Sequence, residues 1–376
     1  MKPTLRVAMI GQKGYPPVHG GIERHVAELA RRLPAHDCAV DIYSRPHYSD
    51  HEGPTEHAGV VVRRLPSIPT KHLDAISHTA LATLRVLGDG TDLVHYHALG
   101  PGLLAGLPRW LSRKPTVVTV HGLDWQRDKW GSVATGVLKL GERAAVNLPS
   151  ATIVVSRALR EHFRTVYGRE TVYIPNGITP PVMRAPDLIR GRGIDKPFVL
   201  FVGRLVPEKG CHMLLEAWGS LPESVRRSHQ LVVAGDAGFT PDYVRELKMQ
   251  SPAGTVFLGY VHGPILEELY TSADLVVLPS TLEGLSITLL EGLSYGRCCL
   301  VSDIPPNVEA AAGHAVLFPS GNVDALTRAM NELLGNGERR ESLGRTGQAH
   351  VVENYSWQRV TTATAELYQR LAAKTV

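Results

Sequence analysis

Short apolar runs alternate with longer amphipathic ones along almost the whole chain. In the first half the apolar runs are 6–10, 39–43, 60–63, 93–97, 116–120 and 152–155. Runs this short and this uniformly apolar suit strands buried on both faces. Between them, segments such as 21–33, 74–87 and 157–167 place apolar residues three and four apart, the spacing of a helix with one buried stripe. The second half restarts the pattern, with strand-like runs at 198–203, 230–234, 256–258, 275–279 and 299–302 and helical segments at 211–219, 241–249, 265–272, 287–295 and 324–334. Alternation of this kind predicts βαβ units, and hence α/β architecture built from two doubly wound, Rossmann-like domains.

The join falls in 175–197, a stretch rich in Pro and Gly with no periodic apolar face. This divides the chain into a domain over 1–180, a second over 181–355, and a helical segment over 356–376. Open α/β sheets bind ligands beyond the carboxyl ends of their strands, so two such domains facing each other place a site in the cleft.

Composition narrows the function. A length of 376 residues exceeds one ordinary core and agrees with two domains. With 43% hydrophobic and 20% charged residues, the chain reads as an ordinary soluble globular protein. A formal charge of +4 is too small to argue for nucleic acid, and it fits an anionic small ligand or a loose attraction to acidic lipid. No apolar run approaches the roughly 18 residues of a membrane helix. The amino terminus enters a strand-like run without the apolar core of a signal peptide, and the cytoplasm is the expected compartment. Cys38, Cys211, Cys298 and Cys299 have neither metal spacing nor a disulfide framework, and Cys298-Cys299 reads as core filling.

Two segments about 80 residues apart carry the strongest chemistry, Gly203-Arg204-Leu205-Val206-Pro207-Glu208-Lys209-Gly210 and Glu283-Gly284-Leu285-Ser286-Ile287-Thr288-Leu289-Leu290-Glu291. Arg204 and Lys209 follow a strand, where a guanidinium can grip two phosphate oxygens and an ammonium adds a second charge. Two cations and a helix end worth about half a charge offset a diphosphate without a metal. The chain has no Asp-x-Asp pair of the kind that holds a divalent ion against a nucleotide diphosphate, so no metal is expected. Glu283 lies between a strand and a helix, and Glu291 lies just over one turn into that helix. A carboxylate accepts two hydrogen bonds and matches a vicinal diol, as in a sugar or ribose.

Other positions add weight. Gly20-Gly21 closes a loop after the first strand at a helix N-terminus, where backbone N–H groups approach a phosphate, although the spacing is not Gly-x-Gly-x-x-Gly. His121 ends the strand-like run 116–120, placed to bond a hydroxyl. His95 and His97 share a strand face, and without a third ligand they read as structural. His47, His51 and His57 lie in a polar loop. Arg63, Arg64, Lys71, Arg109, Arg113 and Lys114 scatter basic charge over the first domain, a solvated surface that also allows weak peripheral contact with an anionic membrane.

These elements together resemble glycosyltransferase family 4. The resemblance covers most of the chain: Gly20-Gly21 followed by Glu23 and His25, the strand-terminal His121, Pro175-Asn176-Gly177, the Gly203–Gly210 segment and the Glu283/Glu291 pair with seven residues between. It implies GT-B architecture and transfer of a sugar from a nucleotide donor with retention at the anomeric carbon. The N-terminal domain takes the acceptor, the C-terminal one takes the donor, and the last helix crosses back to the first domain. Carried over, Arg204 and Lys209 hold the diphosphate with the Gly21 backbone, Glu291 binds ribose, and Glu283 binds the donor sugar. His121 contacts the sugar near the reacting carbon. Gly203, Gly284, Leu285 and Ser286 line the donor, Val261 edges the base pocket, and Asp124 is an acceptor contact.

No cofactor is implied beyond the donor, a UDP-sugar by expectation, with GDP- and dTDP-sugars also compatible. The acceptor is a carbohydrate, a lipid-linked glycan or a small metabolite. A GT-B sugar-nucleotide epimerase and a non-catalytic sugar-nucleotide binding protein are the competing classes.

Overall fold

The computed structural model describes residues 4–16, 20–48, 55–57, 59–70, 73–126, 131–236 and 241–374. Among them, fourteen strands form two sheets. The first sheet comprises β1 (Leu5–Ile10), β2 (Cys38–Ser44), β3 (Thr55–His57), β4 (Val60–Arg64), β5 (Leu93–His97), β6 (Thr116–Val120), β7 (Ala151–Val154) and β8 (Val172–Tyr173). Its order is β3-β4-β2-β1-β5-β6-β7-β8, parallel except for the β3–β4 pair. The second comprises β9 (Phe198–Val202), β10 (Gln230–Ala234), β11 (Thr255–Gly259), β12 (Leu275–Leu278), β13 (Cys299–Ser302) and β14 (Val316–Phe318), in the parallel order β11-β10-β9-β12-β13-β14.

Both sheets are doubly wound, as the alternation of apolar runs predicts. Each reverses its winding once, between β1 and β5 in the first and between β9 and β12 in the second. The loops leaving those strands diverge there and open a crevice at the strand ends. The inner strands are buried along nearly their whole length, which is why they read as unbroken apolar runs.

Two compact units result, Met1–Gly177 with Trp357–Val376, and Ile178–Ser356. The closing helix Trp357–Ala372 belongs to the core of the first unit, where Trp357, Val360, Leu367 and Tyr368 pack among Val7, Met9, Val26 and Leu29. Ile178 N–H donates to the Tyr355 carbonyl at 2.6 Å, so the two chain passages leaving the second unit pair side by side.

The join carries a short helix of its own. Helix Asp187–Arg190 lies within it, and Glu268 Oε2 accepts from the backbone N–H groups of Leu188 at 2.7 Å and Ile189 at 3.0 Å. A helix of four residues shows no apolar period; its first-turn amides are held instead by a carboxylate 80 residues away.

The basic residues of the first unit are largely committed to it. Arg63 Nε pairs with Asp41 at 3.0 Å, Arg109 Nη1 caps the carbonyls of Leu148 and Pro149, and Lys114 lies 3.8 Å from Asp89. Lys71 and His51 lie outside the described residues, as does the side chain of His57. All four cysteines are buried and unpaired. Among the described residues no helix is long and apolar enough to cross a membrane.

Candidate active site

The two signature segments of the second unit meet where its winding reverses. Arg204 and Lys209 follow β9, and Glu283 follows β12, the neighbouring strand across the reversal. The two loops are tied by the backbone: Thr281 N–H donates to the Glu208 carbonyl at 2.9 Å. Lys209 Nζ sits 2.5 Å from Glu283 Oε1, with side-chain exposures of 21% and 9%. Ion and counter-ion are thus screened from much of the solvent, where their interaction is stronger than at an open surface. Arg204, five residues before Lys209 in the same loop, is exposed.

Helix Ile287–Ser294 begins four residues beyond Glu283. Ser286 caps it, its Oγ accepting from the Leu289 N–H at 3.2 Å. Gly284, Leu285 and Ser286 are buried at this positive helix end. Farther in, Glu291 Oε2 accepts from the Tyr270 hydroxyl at 3.0 Å, and the Tyr270 ring stacks on Tyr295 with centroids 5.3 Å apart. Tyr270 is buried and comes from the helix before β12, so it aims the carboxylate from behind. Sequence patterning contains no sign of this tyrosine, because nothing in its own helix marks it apart from a core residue. Val261 is buried just after β11, two strands from β9.

In the first unit, Gly20 precedes helix Gly21–Arg32 and Lys13 N–H donates to Glu23 Oε1 at 3.2 Å, pinning the loop after β1 to the helix it enters. Gly11 takes φ +118°, and a Cβ there would run into the His97 carbonyl oxygen. Only glycine lets this loop lie against the end of β5. Immediately after His97, Ala98 holds a positive φ of 79°, a strained turn into helix Leu99–Gly102.

Four imidazoles converge on these strand ends. His97 Nδ1 lies 3.2 Å from His121 Nε2, and His95 stacks obliquely on His97 with centroids 4.1 Å apart. His25 Nδ1 bonds Asn176 Oδ1 at 2.9 Å, joining two elements of the family resemblance that lie 151 residues apart. His95 is fully engaged, with Tyr368 Oη at 2.5 Å and Thr119 Oγ1 at 2.7 Å. Burial lowers all four pKa values, to about 4 for His25 and about 3 for His95. His97 and His121 fall well below the ordinary value, first through burial and then through the neighbouring imidazoles. All four are neutral at physiological pH. His121 is half-buried, and Asp124 opens a short 3-10 turn just beyond it, also half-buried.

The ligand atoms of His25, His97 and His121 lie within 4.8 Å of one another, the one such grouping found among the described residues. Three imidazoles on a tetrahedral zinc ion, with bonds near 2.0–2.1 Å, stand about 3.3 Å apart. His97 and His121 match that spacing and are hydrogen-bonded to one another, while His25 bonds Asn176 through Nδ1. The cluster is a hydrogen-bonded set of neutral rings.

The sequence-derived positions therefore fall into two groups: Gly20, Gly21, His121 and Asp124 in the first unit, and Gly203, Arg204, Lys209, Val261, Glu283, Gly284, Leu285, Ser286 and Glu291 in the second.

Two family models match successive stretches of the chain. The family model described as Glycosyltransferase Family 4 matches residues 19–180, and that described as Glycosyl transferases group 1 matches residues 189–350. An uncharacterized glycosyltransferase of Methanocaldococcus jannaschii, MJ1607, is 28% identical over 97% of this chain and 98% of its own. Among solved structures, sucrose-phosphate synthase of Thermosynechococcus elongatus superimposes with a TM-score of 0.85 at 21% identity, covering 98% of this chain and all (100%) of that one. HepE of Anabaena, solved with UDP-glucose, does so with a TM-score of 0.80 at 19% identity, covering 97% and 100%. These neighbours share the two Rossmann-like sheets of the GT-B fold.

Proposed function

The chain belongs to glycosyltransferase family 4, and on that premise we propose that it moves a sugar from a nucleotide-diphosphate donor to an acceptor hydroxyl with retention of anomeric configuration. The observation that carries this reading is the Lys209–Glu283 pair at the winding reversal of the second unit, with Glu291 just over one turn into the helix that follows Glu283. Cation and carboxylate neutralise each other in the free protein. A nucleotide sugar replaces that pairing with two better ones: diphosphate oxygens on Lys209 and Arg204, and sugar hydroxyls on Glu283. Glu291, aimed by Tyr270, takes the ribose diol. The uridine donor in the HepE structure supports a UDP-sugar here, with GDP- and dTDP-sugars as the alternatives.

As the glycosidic bond breaks, negative charge grows on the leaving diphosphate. Arg204 and Lys209 stabilise that charge in the transition state, which makes them catalytic. Retention follows if the acceptor attacks from the face the diphosphate leaves, with a phosphate oxygen taking the acceptor proton. His121 donates to a hydroxyl of the sugar, and Asp124 contacts the acceptor. The acceptor class is a carbohydrate, a lipid-linked glycan or a small metabolite.

A transfer assay tests the reading. Purified protein is incubated with each nucleotide sugar and a panel of glycan and small-metabolite acceptors, and products are resolved by mass spectrometry. Acceptor-dependent gain of one sugar with release of the nucleoside diphosphate supports it. Donor conversion without any acceptor would instead indicate an epimerase, and donor binding without turnover a binding protein.

A further inference from the structure

We infer that His97 is a positioning residue that holds His121 in its Nδ1–H tautomer, making His121 a hydrogen-bond donor and removing it as a base. The inference deepens the role given to His121 above and rests on that reading for its catalytic consequence, though not for the tautomer itself.

His97 Nδ1 and His121 Nε2 stand 3.2 Å apart, so one of them donates to the other. Both rings are neutral, held so by burial and by the imidazoles around them. Each therefore has one proton to place on two nitrogens. His97 Nε2 is buried and has no hydrogen-bond partner among the described residues. If His121 Nε2 carried the proton, His97 would accept at Nδ1 and keep its own proton on Nε2, a buried N–H with nothing to receive it. If His97 Nδ1 carries the proton, its Nε2 presents only an unused lone pair. Orphaned buried N–H groups are the rarer defect in folded proteins. The second arrangement is favoured, and it leaves the His121 proton on Nδ1.

The surroundings hold this arrangement in place. His97 cannot turn away, because it is fully buried, its carbonyl abuts Gly11, and His95 stacks on its ring at 4.1 Å. His95 is in turn fixed at both nitrogens by Tyr368 and Thr119. The hydrogen bond on one ring nitrogen sets what the other can do. With Nε2 accepting and Nδ1 protonated, His121 has no free lone pair to take a proton from an acceptor hydroxyl. That proton must leave by another route, and the departing phosphate oxygen is the group that gains basicity as the glycosidic bond breaks.

The test is the tautomeric state of His121 in the full-length protein, read from long-range proton–nitrogen correlations on histidine-labelled samples and assigned through His121→Gln. The expected result is a proton on Nδ1 and a lone pair on Nε2 in the unsubstituted protein. A proton on Nε2 would overturn the inference, and this readout needs neither donor nor acceptor. His97→Leu removes the donor to Nε2 and is expected to lose the Nδ1–H signature, with turnover down roughly tenfold to a hundredfold. His97→Asn places an amide N–H near the lost Nδ1 and is expected to restore both the signature and most of the turnover. Equal turnover in His97→Leu and the parent, with His121 still Nδ1–H, would show that His97 does not act through His121. If no activity is found with any substrate, the tautomer result still stands while the reading of His121 as a sugar contact falls.

Discussion

Lys209 and Glu283 are bound to one another, Nζ to Oε1 at 2.5 Å, although 74 residues separate them and each is a residue expected to hold a different part of the donor. The pair is the resting state of the proposed site: two groups that would each be costly to leave unpaired in a screened position stabilise one another until a ligand takes both. It also means that neither residue can be altered without exposing the other.

Lys209→Ala should show this directly. The Glu283 carboxylate, 9% exposed, loses its counter-ion, and we expect a stability loss of about 1–3 kcal/mol together with a turnover drop of roughly a hundredfold. Arg204→Ala, whose side chain is exposed, should lower turnover with little change in melting temperature. Steady-state kinetics beside thermal denaturation separates the two. An Arg204→Ala protein with intact kcat and a raised KM alone would contradict the charge-stabilising role.

Tyr270→Phe removes the hydroxyl that meets Glu291 Oε2 at 3.0 Å while keeping the ring stacked on Tyr295. Donor affinity should weaken about fivefold, the worth of roughly 1 kcal/mol for one hydrogen bond. Calorimetry of Tyr270→Phe, Glu291→Ala and the double variant gives the check. Because Tyr270 acts through Glu291, the double variant should bind no worse than Glu291→Ala alone, and additive losses would refute the coupling.

Five imidazoles of the first unit, His25, His78, His95, His97 and His121, have folded pKa values that burial lowers below the ordinary 6.5. The unfolded chain therefore binds protons that the folded chain refuses. Their contribution to stability is complete above 6.5 and is lost as pH falls toward the value of about 4 held by His25 and His78. Near pH 5 unfolding should take up about five protons in this unit, a steep slope at about 1.4 kcal/mol per pH unit for each. Urea unfolding followed by circular dichroism should show one transition moving sharply to lower urea below pH 6.5 and staying level from neutral to mildly alkaline pH. A transition that ignores pH in that window would mean these rings are not neutral in the folded state.

Tyr368→Phe tests the seating of the closing helix. It strips a 2.5 Å partner from His95 Nδ1 deep in the first unit, and a loss of about 1–3 kcal/mol is expected in denaturant unfolding. A neutral outcome would argue that the helix is not held through this contact.

Much of the fold was legible because its inner strands are short, apolar runs. β5, β6, β10 and β13 fall on the expected residues, and the helices Arg157–Tyr167 and Cys211–Gly219 do as well. What escaped had physical reasons. β8 has two residues and β14 three, too few to show any period. Helix Gly337–Asn354 is polar, with glycines where an apolar stripe would run; at Gly344 a Cβ would collide with the Gly296 carbonyl, so that face is made for close backbone approach rather than side-chain packing. The site divides in the same way. Residues expected to touch ligand stand at strand ends, where position and chemistry coincide. Their supports, Tyr270 behind Glu291 and His97 behind His121, come from other elements and look like core residues until the fold brings them together.

The central claim is that the second unit binds a nucleotide sugar through Lys209, Glu283 and Glu291 without a metal. Calorimetric titration of the protein with UDP-, GDP- and dTDP-sugars in EDTA, repeated on Glu291→Ala, tests it most directly. We predict saturable binding of one nucleotide class that EDTA leaves unchanged and Glu291→Ala weakens roughly tenfold or more. Binding that requires a divalent ion, or that Glu291→Ala leaves intact, would contradict the account.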